Sequence, residues 1–237
     1  MLIIFLSCIG MLALGSSAFA STRVAIVGDS TVSNYSAERP NRGWGQILQT
    51  YALPGAEIKN LAASGTSSKT FRDLGRWDEA LAFQPTFILI QFGHNDRSAD
   101  PAKGGTRPDT EFKENLRQFI AEARKAGAEP ILVTPPVPRS FDRKTGQLGD
   151  GRLAPYVEAI KAVAAEQGSV VLDLNTRSRE WYAALGREGS DAFAPKPGDV
   201  NHYNEAGATM LAQFVLEEMA AKAPNLAGLF HQPKTEP

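Results

Sequence analysis

The sequence RVAIVGDSTVSNY, residues 23–35, contains an apolar run that breaks off at Gly28-Asp29-Ser30. Residues 24–27 are apolar and the next three are turn-forming types, which is typical of a buried strand that ends in a turn. In open α/β sheets, ligands bind outside the carboxyl ends of the strands. Ser30 is therefore either an ordinary turn residue or a group that does chemistry, and this stretch alone does not separate the two.

Short apolar runs of this kind alternate with longer segments of helical periodicity along the chain. The clearest helix is predicted over 109–126, a second over 155–167, and a third after Asn204 as its N-cap. This alternation predicts an α/β fold in which βαβ units surround a parallel sheet. Strands are predicted over 23–27, 56–61, 86–92, 129–134 and 169–174.

The amino-terminal 20 residues, MLIIFLSCIGMLALGSSAFA, form one apolar block that ends in small residues. This pattern predicts a secretory signal peptide cut after Ala20, and a transmembrane anchor is the alternative. We therefore expect a secreted or periplasmic protein with a catalytic domain over 21–223 and a loose tail over 224–237. Cys8 is the only cysteine and lies inside the signal, so the mature chain is expected to contain no disulfide.

The composition indicates one domain with an ordinary core, since 43% of the 237 residues are hydrophobic. The formal net charge of −1 provides no broad basic field. We expect binding neither to nucleic acid nor, after signal cleavage, to a membrane. Polar loops rich in Gly and Pro over 97–108 and 139–151 each follow a predicted strand, so we expect them to wall a substrate cleft.

Four arginines of the sequence have two possible roles. They could pair with carboxylates of an acidic substrate, or they could lie in solvated faces and surface ion pairs. Trp44 and Trp77 lie on predicted helices, where an aromatic side chain is more often part of the core than a sugar platform. The arginines are Arg72, Arg76, Arg139 and Arg143.

A serine hydroxyl needs a base to remove its proton, and the base needs a third group that fixes its tautomer. Ser30, His202 and Asp199 provide these three roles. Asp199 and His202 are three residues apart, so the carboxylate can reach Nδ1 of the imidazole while Nε2 faces the serine. This set predicts nucleophilic catalysis through an acyl-serine.

An ester carbonyl under attack gains negative charge on its oxygen, which requires preset hydrogen-bond donors. The predicted oxyanion hole consists of the backbone N–H groups of Ser30 and Gly65 and the side-chain amide of Asn95. Taken singly, each is equally consistent with a turn, loop or capping residue. His94 and Asp96 lack the spacing of a zinc site, so we predict no metal and no cofactor, and we expect His94 to orient its loop.

The blocks around Ser30, Gly65, Asn95 and His202, with Asp199 three residues before the histidine, resemble those of the SGNH or GDSL hydrolase superfamily. Within it, the sequences GDSTV (28–32), GWG (43–45) and QFGHND (91–96) are most similar to the rhamnogalacturonan acetylesterase group. The resemblance implies a three-layer α/β/α, flavodoxin-like fold with a five-stranded parallel sheet of order 2-1-3-4-5.

The resemblance also implies a secreted esterase that removes acetyl groups from a plant polysaccharide, most often the rhamnogalacturonan of pectin. The expected partner is an acetylated polysaccharide or oligosaccharide, and we expect a monomer. Asn201 stands where this group usually has Thr, and Gly65-Thr66-Ser67 where it usually has Gly-Arg-Ser. One alternative is a lipase or thioesterase of the same superfamily that acts on longer acyl chains. An alternative of another class is a non-catalytic sugar-binding module.

Overall fold

The computed structural model describes residues 21–233 and contains a single five-stranded parallel sheet of order β2-β1-β3-β4-β5. The predicted parallel sheet and its 2-1-3-4-5 order are therefore confirmed. In the central pair, Val24 lies opposite Phe87 and Gly28 opposite Gln91. The strands are β1 (Thr22–Gly28), β2 (Ala56–Asn60), β3 (Phe87–Gln91), β4 (Glu129–Val133) and β5 (Val170–Leu172).

Helices cover both faces of this sheet, which makes three layers. Alternate residues of β1 point to opposite faces, so Val24 and Ile26 join one core while Ala25 and Val27 join the other. The helices are α1 (Trp44–Leu48), α2 (Ser68–Asp73), α3 (Arg76–Ala82), α4 (Glu111–Lys125), α5 (Ala154–Gln167), α6 (Leu174–Asp191), α7 (Glu205–Lys222) and α8 (Pro224–Ala227), with 3-10 turns at Gln49–Tyr51 and Pro101–Lys103.

The two helical layers are made of different elements. Residues of α1, α6, α7 and α8 pack on the Val24 and Ile26 face, whereas residues of α2, α3, α4 and α5 pack on the other. Trp44 belongs to the first core and Trp77 to the second, and both are essentially fully buried. Their assignment as core residues is confirmed.

The sequence pattern did not predict α6. Its buried residues include the polar Asn175 and Ser178 beside Leu174 and Tyr182, so apolar residues alone do not mark its buried face. Asp173 caps its N-terminus by accepting a hydrogen bond from the N–H of Thr176. The helix is interrupted at Gly186, which has a φ of 67°.

The interpretation of residues 224–237 as a loose tail is wrong for 224–233. Leu226 is fully buried, Phe230 is 2% exposed, and Phe230 forms an isolated antiparallel bridge with Ala52. The N–H of His231 donates to the carbonyl oxygen of Tyr51 at 2.7 Å. The side chains of Leu226 and Phe230 therefore pack this segment against the core. The segment is too short for the periodicity of its sequence to predict these contacts.

The predicted signal peptide, residues 1–20, and the last four residues lie outside the described part of the chain. Among the described helices, none is both long enough and apolar enough to cross a membrane.

Candidate active site

Ser30 lies on a tight turn directly after β1. The carbonyl oxygen of Asp29 accepts a hydrogen bond from the N–H of Val32 at 3.1 Å, which closes the turn. A Cβ on Gly28 would lie 2.7 Å from Cγ2 of Val32 and 2.8 Å from the carbonyl oxygen of Gln91. The turn therefore begins where a larger residue does not fit, and it leaves Ser30 partly exposed at the sheet edge.

The structure brings the predicted serine, histidine and aspartate into one hydrogen-bonded chain. Nε2 of His202 lies 3.0 Å from Oγ of Ser30, and Nδ1 of His202 lies 3.0 Å from Oδ2 of Asp199. Because a carboxylate can only accept, Nδ1 carries the proton and Nε2 is left to accept from the serine hydroxyl. This tautomer is the one that a general base requires.

Asp199 is fixed by its own loop. Its Oδ1 accepts hydrogen bonds from the backbone N–H of His202 at 2.9 Å and of Asn201 at 3.1 Å. Burial acts to raise the pKa of Asp199, but the hydrogen bonds from the backbone and ring of His202 outweigh it and hold that pKa below its usual value. Asp199 is therefore ionised at neutral pH, where it can stabilise a positive imidazolium.

The three predicted oxyanion donors lie on three separate loops. Nδ2 of Asn95 donates one hydrogen to the carbonyl oxygen of Thr66 at 2.8 Å, which orients the amide and leaves its second hydrogen available. Within residues 21–233, the backbone N–H groups of Ser30 and Gly65 have no protein acceptor. Gly65 has a φ of +83° and open space where a Cβ would lie.

A buried network that the sequence did not reveal supports the turn of Ser30. Oδ1 of Asp29 accepts from the N–H of Thr31 at 2.9 Å and from its hydroxyl at 2.7 Å. The hydroxyl of Thr31 accepts in turn from Nε2 of Gln91 at 2.7 Å, and Oε1 of Gln91 accepts from the indole of Trp44 at 2.7 Å. Burial raises the pKa of Asp29 to about 6, although the hydrogen bonds from Thr31 oppose the shift.

Asp96 organises the loop of Asn95 in the same way. Its carboxylate accepts from the hydroxyl of Ser68 at 2.5 Å, the hydroxyl of Thr106 at 2.9 Å and the N–H of Gly93 at 3.1 Å. Burial raises its pKa to about 6 against the hydrogen bonds from Ser68. These contacts tie the loop after β3 to the start of α2.

His94 does not have the orienting role that we expected. Its side chain is buried, and neither ring nitrogen has a hydrogen-bond partner in the described part of the chain. Burial lowers the pKa of His94 to about 3, with further lowering by the charges of Arg97 and His202, so the ring is neutral. The hydrogen bonds that hold this loop come from Asp96 instead.

Two of the four arginines form ion pairs away from the site. Arg72 pairs with Glu122 at 2.8 Å, and Arg76 pairs with Glu79 at 2.8 Å. The first pair joins α2 to α4, and the second lies within α3. Of the two roles considered for these arginines, Arg72 and Arg76 therefore have the second, which is a surface ion pair.

The two polar loops meet around the loop of His202. Nη2 of Arg97 donates to Oδ1 of Asn201 at 3.0 Å, and its Nη1 donates to the carbonyl oxygen of Gly151. In the second loop, Arg143 is exposed, whereas Arg139 is 2% exposed and lies beneath the site. The prediction that Arg139 faces either substrate or solvent is wrong, because its side chain packs inward.

Within residues 21–233, no group of three or more His, Cys, Asp or Glu side chains is arranged to hold a metal ion. The side chain of His231 is exposed, as expected for a surface residue.

A hydroxyl, an imidazole and a carboxylate bonded in series at the carboxyl edge of a parallel sheet form the arrangement found in serine hydrolases. The family model described as the GDSL-like lipase/acylhydrolase family matches residues 26–210. This chain belongs to that family and is an esterase or acylhydrolase by class.

Two curated relatives from Bacillus subtilis strain 168 are similar over most of the chain. The probable rhamnogalacturonan acetylesterase YesY is 33% identical over 200 residues, which cover 82% of this chain and 91% of the relative. The rhamnogalacturonan acetylesterase RhgT is 35% identical over 211 residues, with coverage of 82% and 88%. The predicted resemblance to the SGNH superfamily and its rhamnogalacturonan acetylesterase group is confirmed.

Solved structures share the fold. The protein YxiM from Bacillus subtilis matches with a TM-score of 0.76 and 29% identity, over 88% of this chain and 58% of that protein. The acetylxylan esterase Axe2 from Geobacillus stearothermophilus matches with a TM-score of 0.66 and 20% identity, over 84% and 94%. The strand order and the similarity to these solved structures thus confirm the predicted three-layer fold.

Proposed function

We propose that this protein is a carbohydrate O-acetylesterase that works through an acyl-serine. The observation that carries the proposal is the chain of two 3.0 Å contacts from Ser30 through His202 to Asp199. Oγ of Ser30 attacks the acetyl carbonyl carbon while Nε2 of His202 takes the hydroxyl proton. When the bond to the sugar oxygen breaks, His202 returns that proton to the sugar oxygen. Water then attacks the acetyl-serine by the same proton transfers, and acetate leaves.

The negative charge of each tetrahedral intermediate needs donors that are in place before the reaction. We assign this role to the backbone N–H groups of Ser30 and Gly65 and to the side-chain amide of Asn95. All three have a hydrogen free of other acceptors in the described residues, and the bond to Thr66 fixes the orientation of the amide.

We propose acetylated rhamnogalacturonan as the substrate. The names of the relatives YesY and RhgT support this choice. A cavity of about 690 Å³, lined in part by Lys69 and Arg97, also supports it. Neither cation has an ion-pair partner within residues 21–233, so the cavity favours a polymer that carries carboxylates. Arg97 connects this cavity to the loop of His202 through Asn201.

Longer acyl chains are a weaker match. A lipase or thioesterase needs an apolar groove beside its nucleophile. In the described part of the chain, the large exposed hydrophobic residues are Leu74, at the end of α2, and Leu185, in α6, and these two helices pack on opposite faces of the sheet, so the two side chains do not form one groove. We therefore expect acetyl esters to be hydrolysed faster than octanoyl esters.

The rate at which carboxylic acid is released, acetate from the acetyl esters and octanoate from an octanoyl ester, decides between these functions. The purified protein is incubated with acetylated rhamnogalacturonan, acetylated xylan, acetylated monosaccharides and an octanoyl ester, with the Ser30→Ala variant as the blank. We expect the fastest acetate release from rhamnogalacturonan. A preference for xylan would overturn the polymer assignment, and a preference for the octanoyl ester would overturn the acetylesterase. Binding of the polymer without acetate release would favour the sugar-binding module.

We also propose that the protein is exported and cleaved after Ala20. The sequence pattern of residues 1–20 supports this. Amino-terminal sequencing of the protein recovered from the medium or periplasm is expected to begin at Ser21. An uncleaved chain in the membrane fraction would support an anchor instead.

A further inference from the structure

Arg139 lies directly beneath the loop that carries the histidine and aspartate. Its backbone N–H donates to the carbonyl oxygen of Val200 at 2.8 Å. Its Nη2 donates to two further carbonyl oxygens, of Asp199 at 2.7 Å and of His202 at 2.5 Å. One arginine therefore binds three of the four residues of the loop 199–202 through their main chain.

The rest of the guanidinium lies between aromatic rings. Its carbon is 4.8 Å from the centroid of the Tyr203 ring and 5.8 Å from that of Tyr182, which allows cation–π attraction. Both tyrosines are fully buried, and Arg139 itself is 2% exposed.

Arg139 is poorly suited to a purely stabilising role. Across residues 21–233, no carboxylate lies within ion-pair distance of its side chain, and Nε and Nη1 have no hydrogen-bond partner. A buried charge without a counter-ion costs free energy that an apolar side chain of similar size avoids. The side-chain hydrogen bonds it does make go to carbonyl oxygens of the loop 199–202.

We propose that Arg139 is a positioning residue that sets where the imidazole of His202 meets Ser30. Drawing the carbonyl oxygens of Asp199 and His202 onto one nitrogen fixes the two ends of the loop relative to each other. The ring then reaches the serine at 3.0 Å. This proposal rests on the proposed function, because it assumes that His202 acts as the base.

The test compares three variants on 4-nitrophenyl acetate, a small ester that needs no polymer subsite. Arg139→Met removes the charge and both hydrogen bonds. Arg139→Lys keeps the charge, but the shorter side chain with one nitrogen does not reproduce the planar fork. Arg143→Met is the matched control, because Arg143 is an exposed arginine of the same loop with no side-chain hydrogen bond to residues 21–233.

We expect Arg139→Met to lower kcat by about 10²-fold with KM within about twofold, as a small misplacement of a reacting group does. Arg139→Lys should lie between this variant and the wild type, and Arg143→Met should match the wild type. The proton NMR resonance of the ring N–H shared by His202 and Asp199 should shift in both Arg139 variants, measured below their unfolding temperatures. A merely structural role would lower the unfolding temperature without moving either readout.

A folded Arg139 variant with wild-type kcat and an unmoved ring-proton resonance would overturn the proposal. If Arg139→Met does not fold, Arg139→Lys decides the question. If neither folds, Arg139 is a stabilising residue and the proposal fails. The two proposals can also fail separately. If the wild-type protein hydrolyses no acetyl ester, the proposed function is overturned. If the ring-proton resonance of His202 still shifts in the Arg139 variants, the positioning role stands.

Discussion

The turn that carries Ser30 and the loop that carries His202 meet at one contact of 3.0 Å, yet buried charges of opposite sign lie beneath them. Under the turn is the carboxyl of Asp29, fully buried with a pKa raised to about 6. Under the loop is the guanidinium of Arg139. A carboxyl can gain a proton near neutral pH, whereas a guanidinium keeps its charge. The support beneath the nucleophile therefore contains a group that titrates near neutral pH, whereas the support beneath the base is a guanidinium held by the carbonyl oxygens of the loop 199–202.

Removing the nucleophile gives the largest expected effect. Ser30→Ala should lower kcat by about 10⁶-fold, because loss of one member of a triad removes nearly all of its joint effect. Circular dichroism should be unchanged, since within residues 21–233 the hydroxyl forms a hydrogen bond only with His202. The matched control is Ser140→Ala, which alters an exposed serine and should retain full activity. Substantial turnover by Ser30→Ala would rule out the acyl-serine.

The base side is tested by Asp199→Asn. An amide at this position donates to Nδ1 and favours the tautomer in which Nε2 carries the proton, so kcat should fall by about 10⁴-fold. Steady-state kinetics on an acetyl ester measures the loss. Asp191→Asn is the control, because this exposed aspartate ends α6. A loss below about tenfold would mean that Asp199 does not set the tautomer.

Asn95 lies on a third loop, separate from the turn of Ser30 and from the loop of His202. Asn95→Ala removes one oxyanion donor and should lower kcat by about 10²- to 10³-fold with little change in KM. The pH profile of the remaining activity should keep its shape, because Ser30 and His202 are untouched. If KM rises and kcat is unchanged, Asn95 binds the ground state of the substrate instead.

The smallest effect concerns stability and pH on the nucleophile side. The folded pKa of Asp29, about 6, lies above its ordinary value of 3.8, so its contribution to stability is full below 3.8 and is lost as pH rises through 6. The Asp29→Asn variant lacks this dependence. The wild type should therefore gain about 1 kcal/mol relative to the variant between about pH 8 and about pH 5.

Urea unfolding of both proteins at these two pH values measures the difference. Asp142→Asn is the control, since Asp142 is exposed and hydrogen bonds from Thr145 and Lys144 lower its pKa. Its contribution is present above its ordinary pKa and is lost only as pH falls below it, so the control should be flat over this range. An equally flat Asp29→Asn difference would show that the buried carboxyl is not titrating.

The sequence pattern was sufficient for a parallel sheet and for the residues that meet at its edge, whereas the strand order came from the family resemblance. Strand-end motifs such as Gly28-Asp29-Ser30 must converge when strands are parallel, and Asp199 and His202 are local to each other. Their proximity follows from topology and short spacing. Parallel strands and a short spacing between two residues can both be recognised in a sequence pattern.

The supports of the site were not predictable in this way. Arg139 opens a polar run, so its pattern indicates a surface loop, and only packing against Tyr182 and Tyr203 shows that it is buried. Gln91 ends an apolar strand, and its partner Trp44 is distant in sequence. Such pairings depend on long-range contacts that leave no periodic signal.

The bridge between Ala52 and Phe230 joins two positions separated by about three quarters of the chain. The layer of α1 and α7 is therefore completed only when residues 226–230 have packed against it. Such a distant pairing is expected to slow folding, because the chain between its two ends must be closed before their contact can form.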